Sequence, residues 1–149
     1  MKTIFDKNAY QEITNRINAL KPENKAQWGI MNVSQMLAHC CEGLKIATGE
    51  VKRPRIFIGR ILGPIFKNSF LNDKPLRKNS PTDPTFVITD QRNFNTEKER
   101  LLAAITKFYE GGEKNATTHP HFFFGNLSQK EYGVLVYKHL DHHLTQFGV

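Results

Sequence analysis

Apolar residues recur at steps of three and four along four stretches of the chain, residues 6–20, 32–49, 97–109 and 129–147. Steps of this size place the apolar side chains on one face of an α-helix and leave the opposite face polar. The pattern therefore predicts four amphipathic helices, each of which buries one face, and an all-α fold.

The ends of these helices carry their own signals. Pro22 follows the first helix, Gly49 ends the second, and Gly111 and Gly112 end the third. Proline stops a helix, and glycine often caps its C-terminus. At an N-terminus, an N-cap residue and a Gln or Glu three positions later form a capping box, in which each side chain bonds the backbone N–H of the other residue. Three such boxes are predicted: Asn32 with Gln35, Thr96 with Glu99, and Ser128 with Glu131.

The segment between the second and third helices has a broken pattern. Its apolar residues between positions 56 and 70 are interrupted by Gly59, Gly63 and Pro64, and residues 72–90 contain three further prolines. Residues 56–70 therefore have a broken helical pattern, whereas the proline-rich polar composition of residues 72–90 favours extended, irregular backbone. We therefore predict a four-helix bundle, in a single domain over residues 1–149, with one long crossover between its second and third helices.

The crossover also concentrates the positive charge of the chain. The 149 residues carry a net charge of +7, and residues 52–78 contain eight basic side chains against one acid, Asp73. Such a segment suits an anionic partner, either nucleic acid or a membrane surface. Its cations are scattered among prolines and glycines, however, which favours a solvated strap over the bundle. We therefore expect neither a nucleic-acid partner nor a membrane partner.

Composition also bears on the location of the protein. Apolar residues make up 39% of the chain and charged residues 23%, which is an ordinary globular balance. No apolar run approaches the roughly 18 residues of a membrane span. The N-terminus turns polar too early for a secretory signal, and the adjacent cysteines Cys40 and Cys41 should remain reduced thiols. A cytoplasmic location is expected.

Histidines are the candidate chemistry of this chain. His139 and His143 are four residues apart in the fourth helix, which places both imidazoles on one face, a turn apart. His39 lies in the second helix, and a bundle brings inward residues of different helices together. Three imidazoles can hold one divalent ion with at least one coordination position open. Imidazole suits zinc, nickel, copper or iron, of which zinc and nickel are expected. The alternative is that these are buried neutral rings with one hydrogen bond each.

Four further residues are predicted to border this site and contact a small-molecule substrate. His119 and His121 lie in the loop THPHFFFGNLS, which leads into the fourth helix. Alternatively, that loop only closes one end of the bundle with its three phenylalanines. Gln146 lies one turn beyond His143, and Trp28 lies just ahead of the second helix.

The sequence resembles the DinB-like (YfiT-like) metal-binding four-helix bundles, and within them a bacterial family of unknown function. The stretches that carry the resemblance are WGIMNVSQMLAHC, RILGPIF, PTDPTFVITD, the HP…FFFGNLS loop and YKHLDHHLTQFG, of which the last and the single histidine after Gln35 are the most specific. The resemblance implies an up-down-down-up bundle with His39, His139 and His143 as ligands. The superfamily includes transferases and isomerases that use bacillithiol, mycothiol or glutathione, members classed as metal-dependent hydrolases, and many members without known activity.

Two kinds of function remain open at this point. The first is a metal-dependent enzyme, foremost a low-molecular-weight-thiol S-transferase and otherwise a hydrolase. The residues between His139 and His143 do not form an HExxH motif, which argues against a zincin protease. The second is a protein that binds a metal or small ligand without catalysis. The oligomeric state is also open, and a homodimer is compatible with the sequence.

Overall fold

The computed structural model describes residues 1–80 and 84–149 of the chain. Its secondary structure is helical, and the described residues form no β-strand, which confirms the predicted all-α class. The five helices are α1 Lys7–Ala19, α2 Val33–Thr48, α3 Phe57–Phe70, α4 Phe94–Gly111 and α5 Gln129–Gln146. Two short 3₁₀ turns, Pro84–Phe86 and Glu113–Asn115, lie before and after α4. The predicted irregular segment 72–90 includes residues 81–83, which lie outside the described residues.

The core lies between four of the five helices. Helix α2 packs against α4 and α5, and α1 packs against the same two helices from the other side. The apolar faces predicted for these four helices supply the core, because their inward side chains are almost fully buried. The largest of them are Ile13, Ile17, Met36, Leu37, Leu101, Ile105, Phe108, Tyr132, Leu140 and Leu144.

The broken helical pattern of residues 56–70 corresponds to a continuous helix, α3, which is an addition to the four helices that were predicted. Gly59 and Gly63 interrupt the apolar pattern because they face the backbone of Phe123. A Cβ atom would lie 2.8 Å from the Phe123 carbonyl oxygen at Gly59 and 2.1 Å from it at Gly63. The glycines therefore allow the helix to approach the loop more closely than any side chain would permit. This tertiary contact outweighs the low helix propensity of glycine.

The helix ends follow the predicted signals in α2 and α5 but not in α4. Both reciprocal hydrogen bonds of the capping box are present at the start of α2 and of α5, and Gly49 caps α2 in the left-handed conformation with φ of +79°. Helix α4 begins three residues before the predicted start. Asn93 is its N-cap and accepts a hydrogen bond from the backbone N–H of Thr96. The predicted box of Thr96 with Glu99 was therefore wrong.

The displaced start of α4 places Glu97 inside its first turn. Glu97 is buried and forms ion pairs with Arg92 at 3.4 Å and with Arg100 at 3.0 Å. A carboxylate in the first turn also interacts favourably with the positive end of the helix dipole. Among the described residues, no helix is both long and apolar enough to cross a membrane.

Candidate metal centre

Three predicted ligands come together between α2 and α5. One nitrogen each from His39, His139 and His143 lie within 4.8 Å of one another. Nε2 of His39 and Nε2 of His139 are 3.0 Å apart. In tetrahedral zinc coordination with Zn–N bonds of about 2.0–2.1 Å, the ligand nitrogens lie about 3.3 Å from one another. The three rings therefore fit a single divalent ion of this size after only small adjustments.

The two helices bring these rings together through their packing. His139 and His143 project from the same face of α5, with ring centroids 4.7 Å apart. The ring of His39, from α2, lies 4.9 Å from that of His139 and 4.7 Å from that of His143. Gly43, one turn beyond His39, makes room for this approach, because a Cβ atom there would lie only 3.1 Å from Cε1 of His139.

A backbone carbonyl determines the tautomer of His39. Its Nδ1 lies 2.8 Å from the carbonyl oxygen of Phe86. A carbonyl only accepts hydrogen bonds, so Nδ1 carries the proton and donates it. In the neutral ring, Nε2 therefore presents its lone pair toward His139. Metal-ligating histidines commonly donate their second ring N–H to a carbonyl or carboxylate oxygen in this way.

A chain of two hydrogen bonds determines the tautomer of His143. Gln146 donates from Nε2 to the carbonyl oxygen of Trp28, so its Oε1 must face the opposite direction. That Oε1 lies 2.8 Å from Nδ1 of His143, and an amide oxygen only accepts. The Nδ1 of His143 therefore carries the proton, and its Nε2 has a free lone pair. The carbonyl of Trp28 thus orients the imidazole of His143 through the side chain of Gln146.

The environment of the three rings keeps them neutral. Burial, with the nearby imidazole of His39, lowers the pKa of His143 to about 3. Burial also lowers the pKa of His39, and burial together with the neighbouring imidazoles lowers the pKa of His139 well below its ordinary value. Only a neutral imidazole has a lone pair available for a metal. No charged imidazolium therefore has to lose a proton before a cation binds at neutral pH. In the metal-free protein Nε2 of His139 donates to the lone pair on Nε2 of His39, so His139 presents its own Nε2 lone pair only after its proton moves to Nδ1.

The four residues predicted to contact a substrate occupy different surroundings. Both polar ends of the Gln146 side chain are engaged by His143 and Trp28. The Nδ1 of His121 accepts the backbone N–H groups of Phe123 and Phe124. His119 bonds the carbonyl of Pro120 through Nδ1 at 2.9 Å. The contact of Gln146 orients the ring of His143. The contacts of His119 and His121 stay within the loop and shape it, as expected for a loop that closes one end of the bundle.

Trp28 and the loop nevertheless lie beside the centre. The indole of Trp28 contacts the imidazole of His142, with ring centroids 5.5 Å apart, and the His142 ring lies 5.2 Å from that of His143. Within the loop, Phe122 stacks on Phe86 at 5.3 Å, the residue whose carbonyl holds His39. Aromatic side chains therefore pack near His143 on one side and near the carbonyl that holds His39 on the other.

Two residues that matter for the centre were missed by the sequence reasoning. Phe86 acts through its backbone carbonyl, which has no residue-specific signature in a sequence. Gly43 has a possible signal in the sequence, because glycine inside an apolar helix face can mark close approach by another element.

Replacing Gln146 with leucine is expected to weaken metal binding about tenfold to hundredfold, because His143 loses the acceptor that orients its ring. Gln146→Glu is the comparison variant: its carboxylate still accepts from Nδ1 of His143 but cannot donate to the Trp28 carbonyl, so its affinity should lie between those of the leucine variant and the wild type. Competition with a chromogenic zinc chelator measures both affinities. Equal affinities for the leucine variant and the wild type would show that Gln146 does not orient the ligand.

Acid is expected to destabilise the metal-free protein. An unfolded histidine has a pKa of about 6.5. In the folded protein, burial lowers the pKa of His143 to about 3, and burial together with the nearby Arg55 lowers the pKa of His121 to about 4. Between these values the unfolded chain binds more protons, so stability is present above pH of about 6.5 and is lost as the pH falls. Each such histidine contributes a slope of about 1.4 kcal/mol per pH unit once the unfolded ring is protonated.

Urea unfolding of chelator-treated protein between pH 7 and pH 5 measures this pH dependence of the free energy of unfolding. Carboxylates remain mostly ionised over this interval of about two pH units, so the histidines dominate the change. His121→Asn keeps an acceptor for the two backbone N–H groups but removes the titrating ring. It should unfold with a shallower dependence on pH. A free energy of unfolding that is flat over this interval would contradict the assignment of neutral buried rings.

Comparison with known proteins gives a family for this chain. Residues 3–148 match the family described as "Protein of unknown function (DUF1569)". Since the match covers nearly the whole chain, the protein belongs to this family. Neither the curated proteins nor the solved structures contain a match. The family description assigns no activity, so a function has to be argued from the centre itself.

Proposed function

We propose that this protein binds one divalent metal ion, zinc or nickel, on His39, His139 and His143, and uses it to transfer a low-molecular-weight thiol to an electrophilic small molecule. The observation that carries the proposal is the convergence of three neutral imidazoles, two of which have their Nδ1 protons held by oxygen acceptors. We also propose that α1, α2, α4 and α5 form a four-helix bundle of the DinB-like (YfiT-like) class, with α3 on its long crossover.

The acids near the histidines favour thiol chemistry over hydrolysis. In a metal-dependent hydrolase, a general base commonly assists the metal ion in taking a proton from water. Glu42, one turn beyond His39, is paired with Lys45 at 2.8 Å and with Arg100 at 2.9 Å. Asp141, between the two histidines of α5, is paired with Arg16 at 2.6 Å. Both carboxylates are therefore engaged by cations and are poorly placed to act as a base.

The cysteines of the chain indicate that the thiol is a substrate. Cys40 and Cys41 are both free and buried. Burial raises the pKa of Cys41 to about 11 and raises that of Cys40 well above its ordinary value. Neither residue is a thiolate at neutral pH, and the thiolate is the nucleophilic form. In the proposed reaction, the sulfur that reacts therefore comes from a small molecule.

The reaction proposed is a substitution at carbon. A divalent ion on three imidazoles would favour the thiolate form of a thiol at its remaining coordination position. The sulfur forms a bond to an electrophilic carbon of the second substrate, the leaving group departs with the bonding electron pair, and the thiol proton passes to solvent. The chain's own contribution is to hold three neutral rings in position, through the carbonyl of Phe86 and the amide of Gln146.

Cobalt substitution tests the proposal directly. Thiolate binding to cobalt produces an intense near-ultraviolet charge-transfer band, so glutathione, bacillithiol and cysteine are added in turn to the cobalt-loaded protein. At least one of them should produce the band, and the zinc- or nickel-loaded protein should then consume that thiol with monochlorobimane. His139→Ala should show neither effect.

The alternatives give different results in the same assays. If no thiol changes the cobalt spectrum at millimolar concentration, thiol transfer is rejected. Turnover of model esters or amides by the metal-loaded protein would then identify a hydrolase. Metal binding without any turnover would identify a binding protein.

A further inference from the structure

Helix α3 exposes a continuous row of large apolar side chains. Seven large apolar residues are exposed among the described part of the chain, and five of them lie on this one helix. We call these five the α3 ridge: Phe57, Ile58, Ile61, Ile65 and Phe66, with exposed fractions of 78%, 55%, 58%, 66% and 43%. Contiguous exposed apolar patches of this kind mark interaction sites in proteins.

The packing of α3 prevents the ridge from turning inward. An amphipathic helix on a globular protein ordinarily buries its apolar face. Here Gly59 and Gly63 face the protein instead, and their side of the helix lies against the backbone of Phe123 and Phe124. Because even a Cβ atom at Gly63 would lie 2.1 Å from the Phe123 carbonyl oxygen, no large side chain fits there. The outward direction of the ridge is therefore built into the fold.

The chain segment that carries the ridge is positively charged. Residues 52–78 contain eight basic side chains and one acid, Asp73, and the carboxylate of Asp73 is paired with the N-terminal amine at 3.2 Å. Arg60 is exposed in the middle of α3. Lys52 is exposed before the helix in the chain, and Lys74, Arg77 and Lys78 are exposed after it, with the Lys78 ammonium 4.5 Å from the centre of the Trp28 ring. The partner of the ridge must therefore be apolar where it meets the helix and anionic around it.

We propose that α3 is an interfacial anchor that inserts its ridge into the surface of a bilayer rich in anionic phospholipids. An apolar face of Phe and Ile flanked by Lys and Arg is the composition of helices that lie in the membrane interface. At 14 residues, α3 is shorter than the roughly 20 residues that span a bilayer, so it lies along the surface. The lipid headgroups supply the negative charge that the basic residues require.

A second copy of this chain fits the same surface less well. Pairing of two ridges about a two-fold axis would bring two Arg60 side chains and two sets of the flanking cations together. Like charges brought together in this way oppose association. The proposal departs from the expectation, drawn from the sequence, of no membrane partner. It is independent of the metal centre and of the proposed thiol chemistry.

Vesicle sedimentation tests the anchor. The intact protein is mixed with large unilamellar vesicles of phosphatidylcholine alone, or of equal parts phosphatidylcholine and phosphatidylglycerol, and the bound fraction is measured. Partitioning into the anionic vesicles should be at least about tenfold stronger than into the neutral ones, and added salt should weaken it. Ile61→Asp and Ile65→Asp, at exposed positions that leave the core untouched, should each lower it by at least about tenfold.

Two controls keep the result specific. Ile30 is 87% exposed but lies outside α3, so Ile30→Asp should bind vesicles as the wild type does. Arg60→Glu should reduce binding to anionic vesicles and leave the weak binding to neutral vesicles unchanged. Absence of partitioning into anionic vesicles would overturn the proposal, as would an equal loss in Ile30→Asp. Light scattering that shows a dimer in solution, dissociated by Ile61→Asp, would overturn it in favour of a second copy.

Discussion

Replacing His139 with alanine is expected to abolish stoichiometric metal binding. The wild type should retain one divalent ion per chain after loading with zinc or nickel, because three neutral rings converge on one position. Nε2 of His139 lies 3.0 Å from Nε2 of His39. Without it, two ligands remain, and affinity should fall by at least about a hundredfold. Elemental analysis of protein purified without chelator or nickel resin measures the stoichiometry.

His142→Ala is the matched control for this experiment. It removes an imidazole from the adjoining turn of the same helix, at a ring distance of 5.2 Å from His143, but His142 is not part of the three-nitrogen cluster. Metal binding should be largely preserved in this variant. Equal losses in His139→Ala and His142→Ala would show that the assignment of ligands to one face of α5 is wrong.

Metal is expected to stabilise the fold by joining α2 to α5. An ion that binds only the folded chain adds about 2.7 kcal/mol to the free energy of unfolding when its free concentration is about 100 times Kd. For a domain of this size, that corresponds to a rise in Tm of roughly 5–10 °C. Differential scanning calorimetry with zinc, with nickel and with a chelator measures the shift.

The metal-free protein should still fold, because its buried core is apolar and does not include the three histidines. The rise in Tm should be absent in His139→Ala and present in His142→Ala. A wild-type protein that melts at the same temperature with excess metal and with chelator would contradict a site shared between two helices. This outcome would also remove the basis for the proposed thiol chemistry, but it would leave the membrane anchor untouched.

The sequence alone determined the main helices and the candidate ligands, because both depend on local periodicity. Since a helix has 3.6 residues per turn, positions 139 and 143 share a face in any helix that contains them. The capping boxes of α2 and α5 are likewise contained within four consecutive residues, and both were predicted correctly. The start of α4 was not, because Asn93 and Thr96 are both acceptable N-caps and local sequence does not rank them. The buried ion pairs of Glu97 are formed with the earlier start.

The tertiary structure decided what local sequence signals could not. Glycine and proline disfavour a helix at residues 57–70, yet α3 forms because the glycines allow close contact with a loop some 60 residues away in the chain. The orientation of the candidate metal ligands likewise depends on residues that are far away along the chain. His39 is held by a carbonyl 47 residues along the chain, and the Gln146 that orients His143 is held by a carbonyl 118 residues away. Every residue has a backbone carbonyl, so only the folded structure determines which carbonyls accept the hydrogen bonds that orient these histidines.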